Sequence, residues 1–99
     1  MSVQTIQDPK QVFEAIQSGK PTIIHYWDPN KGPESPIAPI LHNEAEHHPE
    51  LDVYIVDSGF VAPPHSPDDL LLTVFYANGD VVDEAPFDPS AVESLFQRI

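Results

Sequence analysis

Two runs, "PTIIHYW" over residues 21–27 and "LDVYIVD" over residues 51–57, constrain this chain more than any other feature. Both are dominated by apolar, β-branched and aromatic residues and lack a clean polar alternation. A strand with one wet face alternates, whereas one without alternation is covered on both faces. Between the two runs lies "PESPIAPILHNEAEHH", which spaces Ile37, Ile40, Leu41 and Ala45 along one helical face. Doubly covered strands joined through a helix pair in parallel by a right-handed crossover. The fold class is therefore α/β.

The flanking segments extend this frame. "SVQTIQ" is a short strand candidate with Val3 and Ile6 apolar. "DPKQVFEAIQSGK" carries a helix grammar: Asp8 caps, Pro9 fits the first helical position, Val12, Phe13 and Ile16 form one stripe, and Gly19 ends it. The second helix is expected to begin at Pro33, to kink at Pro39 for want of a backbone donor, and to stop at Pro49. Residues 58–69, with Pro63, Pro64 and Pro67, read as a loop holding at most one helical turn. "LLLTVFY" and "VVDEA" flank "ANGD", a strong hairpin signal. "DPSAVESLFQRI" repeats the capped start at Asp88 and Pro89, with Val92, Leu95, Phe96 and Ile99 directed inward. The predicted order is β-α-β-α-β-loop-β-β-α, a mixed sheet of four to five strands flanked by helices.

A chain of 99 residues with 40% hydrophobic content suits one domain over residues 1–99. Sixteen acidic against four basic residues give a net charge of −12. That charge repels phosphate backbones and anionic headgroups, so neither nucleic acid nor membrane is expected as a partner. The start "MSVQTIQDPK" lacks a charged segment followed by an apolar one, and no apolar run approaches the ~20 residues that span a bilayer. A cytoplasmic protein is the expectation.

The order of elements and the motif "HYWDPNKGPESPIAP" resemble the thioredoxin family over nearly the full length. That family carries a buried strand ending in an aromatic-Trp pair, then Trp-Cys-Gly-Pro-Cys, then a kinked helix reading Ile-Ala-Pro. Tyr26, Trp27, Gly32, Pro33, Ile37, Ala38 and Pro39 keep that register, and "YIVD" and "FYANGDVVD" resemble its central strand and hairpin. The resemblance implies a thioredoxin-like sheet whose third helix is shortened or replaced by the proline-rich loop. It also implies a degenerate active site. Lys31 and Glu34 stand where the two cysteines would be, and Asn30 replaces the Trp before the first. His25 takes the place of the buried acid that relays protons. The cis-proline position falls on Leu71, where a trans bond would reshape the backbone edge that receives peptide substrates.

Thiol–disulfide exchange requires a thiolate attacking sulfur, and the chain has no cysteine. Oxidoreductase activity of that kind is excluded. No catalytic residue, cofactor or metal is assigned from the sequence. The expected role is a redox-silent binding or scaffold module with an unidentified protein partner. Thin cover over one sheet face by the proline loop and Phe60 would favour a homodimer. Two alternatives stand beside it. One is a non-redox enzyme using His25 with Lys31 and Glu34, near Ser35 and Tyr26, on a small molecule. The other is a weak acidic cation binder. In "HNEAEHHPE", His42 with Glu46 and Glu44 with His48 have i,i+4 spacing, but they lie on different faces and read as a solvated helix end.

Overall fold

The computed structural model describes residues 3–6, 8–27, 35–57, 73–86 and 88–99. Among them are five strands and three helices: β1 (Val3–Ile6), α1 (Pro9–Gln17), β2 (Thr22–Trp27), α2 (Ala38–His47), β3 (Asp52–Asp57), β4 (Thr73–Ala77), β5 (Asp80–Ala85) and α3 (Pro89–Gln97). The strands form one mixed sheet in the order β1-β3-β2-β4-β5. β3 runs parallel to both β1 and β2, whereas β4 is antiparallel to β2 and to β5. Helices lie on both faces, as the two runs without alternation require.

Local chemistry sets the element boundaries. Asp8 and Asp88 sit in extended backbone and accept hydrogen bonds from the amides of Lys10 and Ser90, so each closes the open end of the helix that Pro9 or Pro89 begins. Asn78 and Gly79 turn β4 into β5 with φ of 56° and 85°, a left-handed pair that asparagine and glycine tolerate. The ladder then shifts register: Tyr76 faces Val81 and Phe75 faces Asp83, leaving Val82 as the extra residue of a bulge.

β2 lies at the centre, and all six of its residues are buried. Its side chains alternate between two cores. On one side Ile23 packs with Ile37, Leu41 and Ala45 before and along α2, and with Val92, Leu95 and Phe96 of α3. On the other, Ile24 and Tyr26 pack with Ile6, Val56, Val74, Tyr76 and Val12 of α1.

Three sequence expectations change. Phe13 is 63% exposed, because Val12 and Ile16 alone turn toward the sheet and the next residue around the helix points away from it. Ile99 is 40% exposed, since it lies beyond the end of α3. The second helix begins at Ala38, and Ser35, Pro36 and Ile37 form a turn before it. Pro39 therefore occupies the first helical turn, where its missing N–H breaks no bond, and the expected cause of a kink is gone.

Candidate functional site

The centre of the sheet holds one polar side chain from β2 on the α2–α3 side. His25 has no exposed surface. In the ladder it stands beside Ile55 of β3 and opposite Thr73 of β4. Cross-strand partners of an antiparallel pair point to the same face, so Thr73 meets the imidazole directly, with Oγ1 2.9 Å from Nδ1. The other ring nitrogen faces the start of α2, where Ser35 Oγ lies 2.7 Å from Nε2.

Ser35 reaches this position because the turn before α2 is built around it. Its carbonyl accepts the Ala38 amide at 3.0 Å, and its side-chain oxygen accepts the Ile37 amide at 3.1 Å. Pro36 between them has no N–H to place. Ile37, which precedes the first helical residue, supplies no side-chain cap, so Ser35 performs that task from two residues further back. One hydroxyl thus fastens the helix start to the middle of the sheet. Both hydroxyls are buried, Ser35 at 3% exposure and Thr73 at 0%. Leaving either one unpaired would cost about 1–3 kcal/mol.

Burial lowers the His25 pKa to about 4, so the ring is neutral near pH 7. A neutral imidazole donates from one nitrogen and accepts at the other. In the Nδ1–H tautomer the ring donates to Thr73 and accepts the Ser35 hydroxyl proton, and Ser35 in turn accepts from Ile37. Trp27, 8% exposed, lies on the same face, its ring stacked near His25 at 6.5 Å between centroids and 23° between planes.

On the opposite face, Tyr26 and Tyr76 bring their hydroxyls to 2.9 Å. Burial raises both phenols above their ordinary pKa, and each stays protonated.

Of the residues singled out from the sequence, His25, Trp27 and Ser35 meet in this centre, whereas Tyr26 points to the opposite face. Lys31, Gly32, Pro33, Glu34 and Leu71 lie outside the described residues, as do Asn30, Phe60 and the proline loop. The sequence names Ser35 as a neighbour of His25, and what it does not show is the bond by which Ser35 caps the turn before α2. A serine shortly before a helical apolar run is a cap signal, and the structure adds a direct bond to the histidine ten residues back. The histidine-rich end of α2 turns to other partners. His47 Nδ1 bonds the Asn43 carbonyl at 2.8 Å, and His48 stands 3.8 Å from Glu44 and 3.3 Å from Glu50, against the ring of Phe96. Among the described residues, no group of three or more imidazole or acidic side chains gathers closely enough to hold a metal ion.

No family model matches this chain, and no curated protein does. Solved structures do. The thioredoxin of Malassezia sympodialis, a member of a pan-allergen family, aligns with a TM-score of 0.80 at 22% identity, over 99% of this chain and 93% of that one. Oxidised thioredoxin from Plasmodium falciparum aligns at 0.84 and 20% identity, over 98% and 97%. Thioredoxin O1 of Arabidopsis thaliana aligns at 0.79 and 15% identity, over 100% and 98%. The chain has the thioredoxin fold and contains no cysteine. Thiol–disulfide exchange, which needs a thiolate, therefore has no atoms to run on in this chain. No helix among the described residues is long and apolar enough to cross a membrane.

Proposed function

We propose that the protein is a redox-silent thioredoxin-fold module that binds another protein and serves as an interaction scaffold. The carrying observation is the clamp of Ser35 and Thr73 on His25. The resemblance puts a proton-relaying acid at that position. Here a neutral ring is tied at both nitrogens, and its bonds brace the start of α2 against β2 and β4. A rigid helix start is useful to a recognition surface because less ordering entropy is lost on binding. On this reading Lys31, Gly32, Pro33 and Glu34 contribute to recognition of the partner. The charge of −12 favours a partner with a basic contact surface.

The same proposal places the protein in the cytoplasm as one domain over residues 1–99, with self-association into a homodimer as part of the role. Two measurements test it. Crosslinked capture with the parent chain and a Lys31→Ala, Glu34→Ala bait should yield a partner that only the parent retains, and equal recovery would count against a role for these residues. Light scattering over a concentration series reads the dimer, and a monomer throughout would remove it. Insulin reduction should stay at background.

A further inference from the structure

The Ser35 hydroxyl and the His25 imidazole are in direct hydrogen-bond contact. The geometry expected of a nucleophile and its base is a hydroxyl within about 2.6–3.2 Å of the base, with the base oriented by a third group. Here the hydroxyl–imidazole distance is 2.7 Å, and Thr73 holds the far nitrogen at 2.9 Å. A third feature acts on the oxygen itself. Ser35 precedes the N-terminus of α2, a helix of ten residues, and the Ile37 N–H points at Oγ from 3.1 Å. Helix N-termini favour negative charge on a nucleophilic atom placed there. Pro36 has no amide hydrogen and the Ala38 amide is committed to the Ser35 carbonyl, so the Ile37 N–H is the donor this turn gives to the hydroxyl.

We propose that Ser35 is a nucleophile that accepts a short acyl group from an uncharged activated ester, with His25 as its general base and Thr73 as the residue that positions the ring. This goes beyond the binding role and does not depend on it. Ser35 Oγ attacks the ester carbonyl carbon while its proton passes to His25 Nε2, which is unprotonated in the Nδ1–H tautomer. The carbon–oxygen bond to the leaving alcohol breaks, and that alcohol takes the proton from Nε2. Water then cleaves the acyl-serine with His25 acting in the same order, releasing a carboxylic acid. No electrons are exchanged. The 3% exposure of Ser35 restricts entry to a slim acyl group such as acetyl, and the net charge of −12 disfavours anionic donors.

The test incubates the full chain with p-nitrophenyl acetate, follows p-nitrophenol release, and maps the acetyl group by peptide mass spectrometry. The expected result is one acetyl on Ser35 and a rate about a hundredfold lower in Ser35→Ala. Thr73→Val should slow the reaction and Thr73→Ser restore it, which a purely structural threonine would not require. His42→Ala and His47→Ala, both at exposed positions, should leave the rate unchanged. Acetyl found only on exposed histidine or lysine, or a Ser35→Ala rate equal to the parent's, would overturn the proposal. The adduct map on the parent chain decides the matter even if a variant folds poorly.

Discussion

His25 and Tyr26 are neighbours on β2, yet they bury polar groups on opposite faces of the sheet by different means. The phenol of Tyr26 meets a like group, Tyr76, and the pair remains neutral because burial moves both away from ionisation. The imidazole of His25 sits between two hydroxyls, one of them on the turn that opens α2. Its charged form lies within reach of mild acid, and that form has no acceptor to give to Ser35. The two arrangements teach that equal burial does not mean equal sensitivity. The tyrosine pair is a local bond inside one core, whereas the histidine joins three elements and carries a titratable group.

Removing the ring should have the largest effect. His25→Ala leaves a void and two buried hydroxyls without their partner, and a loss of about 4 kcal/mol is expected in urea unfolding. A loss below about 1 kcal/mol would mean that the three elements do not depend on the ring.

Acid should come next. The folded pKa of about 4 lies below the ordinary 6.5, so the unfolded chain binds the proton more readily between those values. The contribution of a neutral His25 is complete above pH 6.5, declines as pH falls toward 4, and levels off below it. The total is about 3 kcal/mol. Unfolding measured at several pH values on the parent and on His25→Gln should show that this part of the slope disappears in the variant.

Tyr76→Phe should cost only about 1 kcal/mol, because one orphaned phenol remains on Tyr26. Its effect should be the same at pH 5 and pH 8. A clear pH dependence would erase the contrast between the faces. The smallest effect belongs to Phe13→Gln, within about 0.5 kcal/mol, since the side chain is 63% exposed.

Much of the framework was legible because its signals are local. Asp8 with Pro9, Asp88 with Pro89, and Asn78 with Gly79 each act within two or three residues, and each does in the structure what its chemistry predicts. The buried character of β2 could be read from its unbroken apolar run. The site was less legible. That Thr73 faces His25 follows from a register set between strands 48 residues apart. That Ser35 caps from outside α2 follows from Pro36 and Pro39, which together shift the helix start later than apolar spacing suggests. Phe13 departs from its expected burial because spacing gives the width of an apolar stripe but not how much of it the sheet covers.

His25 is a neutral ring gripped at both ends. Nitrogen NMR of the imidazole across a pH titration reads this directly. The prediction is one tautomer that stays unprotonated down to about pH 5 and titrates near 4. Its ring nitrogens should also respond when Ser35→Ala and Thr73→Val are introduced separately. A ring that titrates near 6.5 with mixed tautomers, and is indifferent to both substitutions, would contradict it.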